Sequence, residues 1–150
     1  MSAIDDYLAR NAEYAPTHVG GLPVEPGQHA VVVACMDSRM RIFPMLGMTG
    51  GEAHVIRSVA ISQRLLGTRE IMLIHHTDCG LAKTTEDDFK GAIEAETGIR
   101  PPWAVEAFTD AAADVRQSIG RLKASPFIPH KDVIRGFVFD VATGKLSEVV

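Results

Sequence analysis

Only two cysteines, Cys35 and Cys79, occur in the 150 residues, too few for the disulfide framework of a small secreted domain. No apolar run reaches the roughly 18–20 residues needed to cross a bilayer. The first ten residues lack a basic stretch leading into an apolar one, so no secretory signal is expected. Basic residues are outnumbered, 15 Lys and Arg against 19 Asp and Glu, for a formal charge of −4. Their longest cluster is Arg39-Met40-Arg41, which excludes a general binder of nucleic acid or acidic membrane. Internal repeats and low-complexity tracts are absent. These absences leave a cytoplasmic protein whose thiols are expected to be buried, catalytic or metal-bound.

A hydrophobic fraction of 46% and a charged fraction of 23% are those of a globular chain. The length suits one domain, residues 1–150. Asp5 to Tyr14 is expected to be a short helix. The Gly/Pro-rich stretch that follows makes residues 1–27 an arm and linker. Ala30-Val31-Val32-Val33-Ala34 is a continuous β-branched run, as in a strand buried on both faces of a parallel sheet. Ala53 to Ile56 and Ile71 to Ile74 read alike, with a helix over Ser58 to Leu66 between them. Thr84 to Asp88 opens another helix, running to Thr97 with Gly98 as its stop. A longer one is expected over Pro102 to Ala124, its stripe of Val105, Phe108, Ala112, Val115, Ile119 and Leu122 facing the core. Val133 to Val141 and Leu146 to Val150 read as strands joined by a turn. The expected fold class is α/β: a mainly parallel sheet flanked by helices, with an N-terminal helical arm and a C-terminal edge strand.

Chemistry concentrates at two strand ends. Cys35-Met36-Asp37-Ser38-Arg39 follows the first strand, and His76-Thr77-Asp78-Cys79-Gly80 the third. Sites in open parallel sheets form beyond the carboxyl ends of strands, so the two segments can converge. Cys and His are preferred zinc ligands, and three protein ligands leave the fourth tetrahedral position open, the mark of a catalytic rather than structural site. Cys35, His76 and Cys79 are therefore the candidate Zn2+ ligands. Asp37 can accept a hydrogen bond at such a site, and Arg39 can hold it with a two-pronged ion pair.

The pair Cys-x-Asp-Ser-Arg and His-Thr-x-Cys-Gly resembles the signature of the β-class carbonic anhydrases, and the small bacterial members in particular. That resemblance spans nearly the whole chain. It implies zinc on Cys35, His76 and Cys79, a catalytic pair Asp37 and Arg39, substrate contact at Gly80, and reversible hydration of carbon dioxide to bicarbonate and a proton. It also implies a homodimer or higher homo-oligomer whose N-terminal arm wraps the partner. In one state of the family the Asp–Arg pair is intact; in the other the Asp turns onto the metal, and Asp37 is expected to be a fourth ligand only in that resting form.

One stretch departs from the family. Members usually continue the second strand's Arg with Asn-Ala-Gly and further residues lining the cleft, whereas Arg57 runs straight into Ser58-Val59-Ala60. From Ser58 to Glu70 there are 13 residues, and a parallel crossover needs a dozen or more. Relative to the family about a dozen residues are missing here: either the crossover is pared down, or a flexible segment is absent from the sequence as written. Two rivals follow: a non-catalytic zinc-binding relative with a shortened loop, and a hydrolase of carbon disulfide or carbonyl sulfide on the same metal. Among the other histidines, His75 is expected to point away from the site, His54 to be satisfied within the core or an interface, and His18, His29 and His130 to be solvated. Gly47 to Gly51 lacks the Gly-Lys-Ser/Thr ending of a phosphate loop.

Overall fold

The computed structural model describes residues 3–18, 20–55 and 58–149. Five strands form one sheet in the order β2-β1-β3-β4-β5. They are β1 (Ala30–Ala34), β2 (Ala53–Val55), β3 (Glu70–His76), β4 (Ile134–Phe139) and β5 (Leu146–Val149). The first four are mutually parallel and β5 runs antiparallel on β4. The α/β class, the parallel sheet and the edge strand therefore stand as expected. Ile56, Arg57 and Val150 lie outside the described residues, so the expected ends of β2 and β5 and the Arg57–Ser58 junction lie there too.

Alternation along the strands builds two small cores. Val31, Ile71 and Leu73 face one side, packing with Ile128, Val59, Ile119 and Leu122. Val32, Ile74 and Phe139 face the other, packing with Met40, Ile42, Met45 and Leu46. The first side is covered by α3 (Val59–Leu65) and α5 (Ala111–Ala124), the second by the segment carrying α2 (Ile42–Leu46). The five-residue α2 was not expected from the sequence; Pro44 sits in its first turn, where no backbone N–H is required. α4 (Glu86–Thr97) begins at Thr85, whose hydroxyl accepts from the Asp88 amide at 3.1 Å, and ends at Gly98 with φ of 74°, a left-handed stop suited to glycine.

The helix expected over Pro102 to Ala124 is corrected at its start. α5 begins at Ala111, where the Asp110 carboxylate accepts from the Ala113 amide at 2.9 Å. Upstream, the amides of Val105 and Phe108 donate elsewhere, to the Glu86 carboxylate and the Leu81 carbonyl. Those residues fit the helical period but belong to a loop strapped across the start of α4 and the turn before it. The N-terminal helix α1 (Ala3–Tyr14) leaves Tyr7, Leu8 and Tyr14 more than half exposed. No helix among the described residues is long and apolar enough to cross a membrane.

Candidate metal centre

β1 ends one residue before Cys35, and β3 ends on His76. The parallel register pairs Ala34 with Ile74, so both chain segments leave the sheet side by side at its carboxyl end. The Thr77 amide still donates to the Phe139 carbonyl, and its hydroxyl accepts from the Val141 amide at 3.1 Å. Asp78 then adopts a φ of +53°, a left-handed conformation that Asp tolerates better than most residues. This reversal brings Cys79 back beneath His76.

The ligand atoms of Cys35, His76 and Cys79 lie within 4.8 Å of one another. A tetrahedral ion with bonds of about 2.0–2.3 Å would space them about 3.5–3.8 Å apart, so modest side-chain adjustment closes the three on one ion. His76 is 1% exposed, and its Nδ1 lies 2.8 Å from the Thr77 carbonyl oxygen. A carbonyl can only accept, so Nδ1 carries the proton and Nε2 keeps its lone pair. That Nε2 is buried with no hydrogen-bond partner. A buried acceptor left unpaired costs free energy; facing two thiols, it has the chemistry of a metal ligand. Burial pushes the Cys35 thiol up, opposed by the Asp37 amide and reinforced by the neighbouring Cys79. The donor set fits a borderline-soft divalent metal ion.

Asp37 stands at the edge of this group, its Oδ2 3.6 Å from His76 Nε2. Both its oxygens are held by Arg39: Nε donates to Oδ1 at 2.9 Å and Nη2 to Oδ2 at 2.7 Å, with the Arg39 amide adding a bond to Oδ1. These bonds hold the Asp37 carboxyl well below the usual carboxylate range and push Arg39 up. Gly80 opens a 3-10 turn, and a Cβ there would meet nothing within 4 Å. His75 points to the opposite face, 3.2 Å from Asp114 and edge-on to Phe108. Both ring nitrogens of His54 are paired, with Ser62 and the Val24 carbonyl. Sequence reasoning missed Asp78 and Lys83. Arg39 reaches the Asp78 carboxylate at 2.8 Å, and Lys83 reaches its other oxygen at 2.6 Å. The only sequence signal was an acid inside the His-x-x-Cys turn.

A parallel sheet with a Cys–His–Cys group and a clamped carboxylate at its strand ends defines a class of metal-dependent α/β proteins. No family model matches the chain. It is 55% identical to β-carbonic anhydrase 1 of Mycobacterium tuberculosis, over 161 positions covering 99% of each chain. The crystal structure of the carbonic anhydrase from Streptococcus mutans superposes with a TM-score of 0.90 at 34% identity, covering 100% of this chain and 99% of that one. The chain belongs to the β-carbonic anhydrases. A carbon disulfide hydrolase of Saccharolobus solfataricus is more distant, 27% identical with 97% of this chain and 88% of that one covered. The mycobacterial alignment is longer than this chain, 161 positions over 99% of its 150 residues, so that relative carries length which this chain lacks.

Proposed function

We propose that the chain catalyses the reversible hydration of carbon dioxide to bicarbonate and a proton, with zinc held by Cys35, His76 and Cys79. The observation that carries this reading is the unpaired, buried Nε2 of His76 between two thiols, with a clamped Asp37 beside it. In this proposal residues 1–150 act as one zinc domain, with 1–27 as arm and linker, in a cytoplasmic, thiol-preserving compartment. The working form is at least a homodimer.

Zinc bound there supplies Lewis acidity that makes hydroxide available near neutral pH. The chain's own residues do the rest. His76 is fixed in the Nε2-ligating tautomer by Thr77. Asp37, kept ionised by Arg39, is a fixed acceptor for the proton of the attacking oxygen species and so turns a lone pair towards the carbon of carbon dioxide. Arg39 prevents Asp37 from rotating onto the metal. The open space at Gly80 leaves room for the triatomic substrate next to Cys79.

Stopped-flow carbon dioxide hydration from pH 6.5 to 9, with zinc assayed in the same sample, tests this. Activity should scale with zinc and fall by at least about a hundredfold in Asp37→Ala, the usual scale for losing a positioned proton acceptor. A second reading, a non-catalytic zinc-binding relative, is favoured by the length this chain lacks against its mycobacterial relative, 161 aligned positions against 150 residues. One zinc per chain with no activity at any pH would establish that reading instead.

A further inference from the structure

The Asp37–Arg39 clamp has a second end. Arg39 does not hold Asp37 as an isolated pair: its Nη1 donates to Asp78 Oδ2 at 2.8 Å and its Nη2 to the Asp78 carbonyl at 2.9 Å. The remaining Asp78 oxygen is held by Lys83 at 2.6 Å. Two carboxylates and two cations thus form a neutral chain of four, Asp37–Arg39–Asp78–Lys83. It joins the segment after β1 to the segment after β3, against the ligands His76 and Cys79. Without Asp78, Arg39 keeps its bonds to Asp37, but its outer edge is tethered by a single carbonyl. The Arg39 side chain is 43% exposed, so water competes for it directly.

We propose that Asp78 is a positioning residue for the carbonic anhydrase reaction: by anchoring the outer edge of Arg39, it keeps Asp37 turned off the metal and aimed at the reacting oxygen. This rests on the functional reading above. The left-handed backbone explains how the carboxylate comes to face Arg39, because the same φ of +53° that returns Cys79 to the metal group also turns the Asp78 side chain outward. Lys83, on the 3-10 turn that follows Cys79, steadies the acid from the other side and prevents two carboxylates from facing one guanidinium uncompensated.

The test uses the zinc-loaded full chain with Asp78→Asn and Asp78→Gly. Both residues accept a positive φ, so the turn is retained in each. Nitrogen-detected or proton–nitrogen NMR of the Arg39 Nε–H group reports its engagement with Asp37 independently of turnover. In both variants hydrogen exchange at Nε should quicken by about three- to tenfold, the range expected for an exposed charge-assisted bond. The turnover number should fall by a similar factor, with KM nearly unchanged and one zinc per chain retained. Lys83→Met, which leaves Arg39 its contact to Asp78, should move the Arg39 signal less than either variant. An Arg39 signal and turnover number matching the unmodified protein would overturn the proposal, as would a loss of activity that merely follows lost zinc. An inactive parent protein whose Arg39 signal still responds to Asp78→Asn would defeat the catalytic reading while keeping the anchor.

Discussion

His76 and Gly136 each owe their role to one contact that no other residue type supplies. For His76 it is the proton on Nδ1, committed to the Thr77 carbonyl at 2.8 Å, which leaves the Nε2 lone pair unpaired. For Gly136, in the middle of β4, it is the missing Cβ: one built there would overlap Val115 and approach Ile119 Cδ1 at 2.9 Å. Val115 is fully buried, so α5 lies on the sheet only because residue 136 has no side chain. Gly136→Ala should destabilise the fold by about 1–3 kcal/mol, the usual cost of overpacking, and urea unfolding checks it. An unchanged midpoint would mean that α5 can lift off freely. At this scale the grouping of Cys35, His76 and Cys79 was legible in the sequence, because Cys and His at strand ends carry a distinctive chemistry. Asp78 and Lys83 were not: an acid and a lysine in a loop are ordinary until the fold brings them to Arg39.

Among the elements, the strands were the easiest to read, since β1 and β3 are buried on both faces and so carry unbroken apolar runs. The start of α5 was misread because Val105 and Phe108 keep the helical period while their amides are spent on Glu86 and Leu81, long-range bonds that periodicity does not encode. β5 is held to β4 by a two-pronged pair, Arg135 to Glu148 at 2.7 and 2.6 Å. Arg135 holds the Glu148 carboxyl below its usual range. With the folded value depressed, the pair's contribution is present above the ordinary glutamate range and is lost as pH falls through the folded value. The stability difference between the parent and Arg135→Met should therefore shrink towards zero on acidification from pH 6 to pH 3, followed by urea unfolding at each pH. A difference that stays constant would show the pair to be idle. The crossover between β2 and β3 is where the missing length is expected. α3 has seven residues, and two adjoining cavities of about 290 and 230 Å³ run along Val33, Leu73, Ser118 and Arg121, the larger reaching Cys35 and Cys79. Both are open to solvent and lie along the face of the sheet that α5 covers. Restoring a crossover of the mycobacterial length between Arg57 and Ser58 should wall these clefts, raising the melting temperature and the turnover number together. A graft that leaves both unchanged would place the extra length of the relatives elsewhere in the chain.

The whole molecule exposes 10091 Å², while a compact monomer of its 16.2 kDa would expose about 7500 Å² on the usual scaling of surface with mass. The excess, about 2500 Å² per chain and so about 5000 Å² over two, is within the range that obligate homodimers bury. Part of it lies on α1, where Tyr7, Leu8 and Tyr14 face solvent, and on the linker, where Leu22 and Val24 do the same. Apolar groups of this kind are stabilised when a partner removes them from water, at about 25 cal/mol per Å². A helix of 12 residues is marginal alone in water, so a partner that covers its apolar side chains would also stabilise the helix. Light scattering at micromolar concentration should give at least twice the 16.2 kDa chain mass. Removal of residues 1–17 should shift the equilibrium towards monomer while leaving zinc content intact, because every proposed ligand lies beyond the linker. A monomer for the intact chain would remove the dimer from the reading. A dimer that survives the deletion unchanged would move the contact from the arm to the sheet face beneath α2, where Val32, Met72 and Phe137 line a cavity of about 340 Å³.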